Sequence, residues 1–401
     1  MSTSSKAPIR VVAIDDSSTM RHMYQKILTG CPDITLLDIA KDGASGMEMV
    51  FKLRPDVVLL DIEMPGIDGL EVLSRLRERI PQLPVIMCST LTHRGAAVTL
   101  EALFRGAADY VAKPHLQVTP QAAMESFRAP LIERIRALGA RVRHDPASNI
   151  AQTPLRQLRM EPTSSSIEVV VLGASTGGPQ AIEQVLCRLP ENFPVPILIV
   201  QHIPAMFVPL LVERLQKYCP LKIQESTEGA PIKVGTVSIA RGDWHLRVAI
   251  AAPLRSQSAF RIPSEPLDPV ALRRFAVQRL TQDAPLHYCR PAVDALFLSA
   301  AEVYGPAAMG VVLTGMGSDA TIGCRAIRAM GGTVLAQDAA TSTIWGMPGS
   351  VVQAGLAHAV VPLNEIADEM VRRVYASGTR VLAPSHAAFA HQQAGAKLRT
   401  Q

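Results

Sequence analysis

The sequence predicts an α/β protein. It has an N-terminal domain on a five-stranded parallel sheet and a C-terminal doubly wound, mainly parallel α/β domain. Three observations predict it. The chain has 401 residues, long enough for two domains. Short apolar runs alternate with helical patterns on both sides of a central stretch, and such alternation gives parallel strands covered by helices on both faces. Hydrophobic residues make up 48% of the chain and charged residues 19%, a balance that suits two buried cores.

The first domain, residues 1–125, carries apolar runs at Val11–Ile14, Thr35–Leu37, Val57–Leu60, Val85–Met87 and Tyr110–Ala112. Each is short enough for a buried strand. Residues 126–165 read as a helical extension and then a flexible linker. Arg128, Arg134, Arg136, Arg141 and Arg143 lie on a helical pattern, and a Pro-, Ser-, Gln- and Asn-rich stretch follows. The second domain, residues 166–378, has strand patterns at Glu168–Leu172, Pro196–Val200, Thr236–Ala240, Leu246–Ala251, Val311–Thr314 and Thr333–Ala336. Helical patterns lie at Gln180–Leu189, Val208–Tyr218, Val293–Val303, Ala320–Met330 and Glu365–Tyr375. Residues 379–401 are polar and Ala/Gln-rich, a frayed and disordered tail.

A net charge of +5 and a pI near 8.9 are too mild to indicate nucleic acid, and the arginine run reads as a solvated helix face. The six cysteines form no Cys-x-x-Cys pair, which suits reduced thiols. No apolar run approaches the roughly 20 residues a membrane helix needs, so no membrane insertion is expected and a cytoplasmic protein is. A DNA-binding output would commonly end in a short basic trihelical module, and the C-terminal half does not look like one. A hydrolase acting on another ester or amide, or a silent adaptor, remain alternatives.

Ligands of parallel sheets meet the carboxyl ends of the strands. In the first domain those ends carry Asp15 and Asp16, Asp61, Ser89, and Lys113. Three converging carboxylates require a cation, and Mg²⁺ suits an all-oxygen donor set with room for a phosphoryl oxygen. Asp61 would accept the phosphoryl group, and Lys113 offers it a positive charge.

In the second domain the organising stretch is Val169–Pro179, which includes Gly173-Ala174-Ser175-Thr176-Gly177. It reads as buried strand, tight turn and helix start, with Ser175 exposed where unpaired N–H groups favour an oxyanion. The Gly-x-Ser-x-Gly spacing is that of a nucleophile elbow. His202 follows the next strand and could take the serine proton. Asp319 follows Leu313-Thr314-Gly315-Met316-Gly317-Ser318 and could orient that histidine. Backbone N–H groups around Thr176 and Met316 are candidate oxyanion donors. The order Ser, His, Asp differs from the Ser, Asp, His of α/β-hydrolases.

Residues 9–125 resemble a two-component response-regulator receiver domain through the Asp15-Asp16 pair, the Asp61–Gly69 run, the strand-four hydroxyl and Lys113-Pro114. The resemblance implies a flavodoxin-like strand order 2-1-3-4-5, bound Mg²⁺, and phosphorylation of Asp61 by a histidine kinase. Thr92–Gly95 reads as a lengthened loop after strand four, itself similar to one receiver subfamily. Residues 167–376 resemble the chemotaxis protein-glutamate methylesterase (CheB) family through Gly173–Pro179, Gln201–Pro204, Arg290–Asp294, Leu313–Asp319 and Gly346–Pro348. That resemblance implies a Ser175, His202 and Asp319 triad, with Thr176 and Met316 beside the reacting carbonyl and no cofactor for the esterase. It implies hydrolysis of glutamate methyl esters and deamidation of glutamines on methyl-accepting chemoreceptors. It also implies a receiver that docks over the esterase cleft. The chain departs from the family pattern in a longer segment at 253–283, in Cys289-Arg290-Pro291-Ala292 and in Ala240-Arg241-Gly242.

Overall fold

A computed structural model describes residues 7–90, 92–114, 120–143, 166–251 and 269–376. The linker from 144 to 165, most of the 253–283 segment and the 379–401 tail lie outside the described residues.

The first domain runs β1 (Ile9–Ile14), α1 (Ser18–Thr29), β2 (Ile34–Ala40), α2 (Gly43–Leu53), β3 (Val57–Asp61), α3 (Gly69–Arg79), β4 (Val85–Ser89), α4 (His93–Phe104), β5 (Asp109–Ala112) and α5 (Pro120–Arg143). Its strands form a parallel sheet in the order β2-β1-β3-β4-β5, as expected. Local chemistry starts the helices. The side chains of Ser17, Asp42, Asp68 and Thr92 each accept the N–H three residues on, which satisfies an orphan donor of the first turn. Thr92 is thus a cap and His93 begins α4, so the expected lengthened loop is a helix start. Phe127, Leu131, Ile135 and Leu138 face inward from α5 and are buried with Val11, Ala13 and Leu59 of the sheet. That spacing is one helical stripe. The expected boundary at 125 therefore cuts α5, which packs on the first domain.

The second domain runs β6 (Val169–Ala174), α6 (Gly178–Leu186), β7 (Ile197–Gln201), α7 (Val208–Tyr218), β8 (Lys222–Glu225), β9 (Thr236–Ile239), β10 (His245–Ile250), α8 (Pro269–Leu272), β11 (Ala276–Thr281), α9 (Val293–Tyr304), β12 (Ala308–Val312), α10 (Thr321–Ala329), β13 (Thr333–Gln337), α11 (Met347–Gln353), β14 (Ala359–Val361) and α12 (Leu363–Ala376). Seven strands form a parallel sheet in the order β14-β13-β12-β6-β7-β9-β8. The chain moves outward one way from β6 to β7 and the other way from β12 to β13. The β6–β12 junction is therefore a topological switch point, where such sheets bind ligands. The strand expected at 246–251 exists but pairs antiparallel with β11, outside the main sheet.

The two domains pack through α4, β5 and α5 of the first. Tyr110 lies against Phe207 with ring centroids 5.1 Å apart. Arg214 stacks 3.7 Å over the Phe104 ring and ion-pairs with Glu101 at 3.1 Å and Glu183 at 2.9 Å. Ile344 and Met316 of the second domain join the apolar cluster that contains α5.

Candidate active site

Ser175 sits directly after β6. Its N–H donates to Thr314 O at 3.0 Å, and its carbonyl accepts from Gly178 N at 2.7 Å and Gln201 Nε2 at 2.9 Å. Two glycines make the turn possible. Gly177 has φ +76°, a left-handed conformation that glycine adopts without strain. A Cβ on Gly315 would lie 2.8 Å from the Ser175 Cβ, so only glycine lets the loop after β12 approach.

His202 follows β7, and its N–H donates to Ala174 O at 3.0 Å, which ties it to the serine turn. Its Nε2 lies 2.9 Å from Asp319 Oδ2. Asp319 also accepts from Val293 N at 2.7 Å, Asp294 N at 2.8 Å and Ala320 N at 2.9 Å. Burial alone would raise the Asp319 carboxyl. The His202 hydrogen bond and charge, with the N–H donors, outweigh burial and hold it below its ordinary value. Burial likewise opposes charge on His202, but Asp319 and the adjacent Cys289 side chain outweigh it and raise the imidazole to about 9. The Ser175 hydroxyl makes no hydrogen bond to His202 in this structure. Such contacts often tighten only when substrate is bound.

The N–H groups of Thr176 and Met316 meet no protein acceptor among the described residues, as an oxyanion site requires. The Thr176 hydroxyl points away from the turn. It donates to Asp109 Oδ2 of the first domain at 2.6 Å, and Asp109 lies 3.1 Å from Arg134 Nε of α5. The first domain thus rests on the residue that follows Ser175.

The second cluster lies at the carboxyl ends of β1, β3, β4 and β5. Oxygens of Asp15, Asp16 and Asp61 lie within 4.8 Å of one another. Lys113 Nζ bridges Asp15 at 3.0 Å and Asp61 at 2.7 Å. Burial and the Asp15 charge push Asp61 up to about 6 against the pull of Lys113. Carboxylates held this close, Asp15 and Asp61 buried and Asp16 exposed, fit a hard divalent ion. Ser89 is buried beside them, and its carbonyl accepts the Lys113 N–H at 2.7 Å.

All the expected site residues fall into these two clusters. Residue patterns gave no role to Gln201, which holds the Ser175 carbonyl, to Asp109, or to Asp294 and His287 behind Asp319. The Arg290–Asp294 motif was the available signal for Asp294.

The fold and its two clusters define a receiver domain joined to a hydrolase-type α/β domain. Residues 11–123 match the response regulator receiver domain model and residues 170–370 match the CheB methylesterase model. A Nocardioides sp. protein-glutamate methylesterase/protein-glutamine glutaminase is 42% identical over 372 residues, covering 91% of this chain and 95% of that protein. One from Trichodesmium erythraeum is 40% identical, covering 91% and 99%. Among solved structures, the Thermotoga maritima CheB methylesterase catalytic domain is 35% identical, with a TM-score of 0.46, covering 52% of this chain and 98% of that one. The chain belongs to the protein-glutamate methylesterase/protein-glutamine glutaminase family, and it is an enzyme of that activity with a receiver domain. Among the described residues no helix is long and apolar enough to cross a membrane.

Proposed function

We propose that Ser175 is the nucleophile of a cytoplasmic enzyme that demethylates and deamidates methyl-accepting chemoreceptors. The observation that carries this is the His202–Asp319 hydrogen bond beside the Ser175 turn at the sheet's switch point. With Nε2 engaged by Asp319, the serine proton goes to Nδ1 of His202. Ser175 Oγ attacks the γ-carbonyl of the glutamate methyl ester, and the oxyanion meets the Thr176 and Met316 N–H groups. His202 returns the proton to the leaving oxygen, and methanol departs. Water, deprotonated by the same imidazole, then cleaves the serine ester and yields glutamate. A glutamine substrate follows the same path with ammonia as leaving group.

Asp61 is the phosphoryl acceptor for a histidine kinase, and Ser89 and Lys113 hold the transferred group. Mg²⁺ held by Asp15, Asp16 and Asp61 would supply charge neutralisation during that transfer. The docked receiver restrains the esterase because Asp109 and α5 occupy the side of the cleft by Thr176 and Met316. Phosphorylation frees the cleft to the extent that it weakens this docking. Methanol release from methylated receptor membranes tests the reading. The wild-type chain should release it and Ser175→Ala should not. Release by the variant at the wild-type rate would refute it.

A further inference from the structure

We propose that Asp294 and His287 are a positioning pair for the His202–Asp319 unit. The inference rests on the triad assignment above and adds two residues to it.

Asp294 lies in the first turn of α9 and is 1% exposed. It holds Asp319 in two ways. Its backbone N–H donates to Asp319 Oδ1 at 2.8 Å. Its side-chain Oδ1 accepts from Ala320 N at 3.1 Å and Gly323 N at 2.7 Å, pinning the turn that leads from Asp319 into α10. The Ala320 N–H is shared by the two carboxylates, since it also reaches Asp319 Oδ1 at 2.9 Å. Two adjacent buried carboxylates repel, and burial with the Asp319 charge raises Asp294 above its ordinary value.

His287 compensates. Its Nε2 lies 2.8 Å from Asp294 Oδ2. The backbone that delivers it is unusual. His287 has φ +51° and Tyr288 φ +62°, a left-handed region that non-glycine residues rarely adopt, especially in succession. The turn is closed by reciprocal bonds between Leu286 and Cys289, at 3.1 Å and 2.8 Å. It presents His287 to Asp294 and, two residues on, Cys289 to His202. Strained turns of this kind persist where surrounding contacts demand them. One turn therefore buttresses both members of the His202–Asp319 unit. His287, Asp294 and Asp319 also cluster closely enough for a metal, but N–H donors and the two imidazoles already occupy the carboxylate oxygens.

The charges near His202 are Asp319, Asp294 behind it and His287 beyond. The Cys289 thiol faces His202, and the buried Cys324 of α10 faces Asp294 and Asp319. Removing the Asp294 charge should make the His202 imidazolium less favourable. A residue that only maintained the fold would not move that titration.

The test uses the full chain, with methanol release from methylated receptor membranes measured against pH. His287→Ala should lower kcat about tenfold with KM unchanged, the loss of one charged hydrogen bond, and His287→Gln should restore most of it. Asp294→Asn should shift the His202 limb of kcat/KM to lower pH by roughly one unit. If Asp294→Asn does not fold, the His287 series decides alone. Wild-type kcat in His287→Ala, or an unmoved pH limb in a folded Asp294→Asn, would overturn the proposal. Ser175→Ala run in parallel keeps the two assignments apart. An active Ser175→Ala sinks the triad, whereas an inactive one leaves the triad standing and the pair to be decided by its own variants.

Discussion

The Asp109 carboxylate of the first domain accepts a 2.6 Å hydrogen bond from the Thr176 hydroxyl, one residue after Ser175. Both groups are buried, and Arg134 lies beside them. A hydrogen bond to a buried carboxylate is worth about 1.5–3 kcal/mol. Its place makes it a latch between the domains.

Asp109→Ala should raise methanol release by the unphosphorylated chain about tenfold, because the latch stabilises only the docked state. Steady-state rates with methylated receptor check this. An unchanged or lowered rate, with the catalytic domain intact, would remove Asp109 from the inhibitory contact.

Substitution of the triad should be unequal. Ser175→Ala and His202→Ala should lose several orders of magnitude, and Asp319→Ala should keep more residual activity. Chemical denaturation should show Ser175→Ala to be close to wild type in stability, since the hydroxyl makes no hydrogen bond to His202 here.

The acid–base behaviour has a defined sign. The base must be a neutral imidazole, and His202 is raised from an ordinary 6.5 to about 9. Esterase activity of the unphosphorylated chain should therefore climb as pH rises towards about 9. Stability should move the other way. A raised folded-state value stabilises fully below 6.5, and that contribution is lost as pH rises through about 9. Rate and urea-unfolding profiles from neutral to alkaline pH check both. A rate that is flat across that range would contradict the assignment of His202.

Asp61→Asn should abolish phosphate incorporation from a small phosphodonor with Mg²⁺ and leave the unstimulated esterase rate unchanged. The amide cannot form an acyl phosphate, and Asp61 lies outside the esterase cleft. Incorporation equal to wild type would move the acceptor elsewhere.

Much of the fold and both clusters were legible in the residue order. Val57–Leu60 and Val169–Leu172 are apolar runs of strand length, and the candidate reactive side chains Asp61 and Ser175 stand at their carboxyl ends. The segments with weaker patterns were not legible. β8 (Lys222–Glu225) and β14 (Ala359–Val361) are short edge strands with no fully buried face, so they carry little hydrophobic period. Leu246–Ala251 does read as a strand, but its partner is set by packing on α9, where Val248 N meets Ser299 Oγ at 2.9 Å. Asp109 and Asp294 were hidden for another reason. Each gains its role from a partner far along the chain, Thr176 for one and the start of α10 for the other.

In the proposed mode of control, the docked receiver excludes the protein substrate from a site that is otherwise built. The most direct measurement compares methanol release from methylated receptor with hydrolysis of a small soluble ester. Both are followed on the full chain before and after phosphorylation by a small phosphodonor with Mg²⁺. A large rise is expected for the receptor, a much smaller one for the small ester, and neither in Asp61→Asn. Equal stimulation of both substrates would show that the receiver tunes the chemistry itself, and no stimulation of either would show that its docking does not restrain the enzyme.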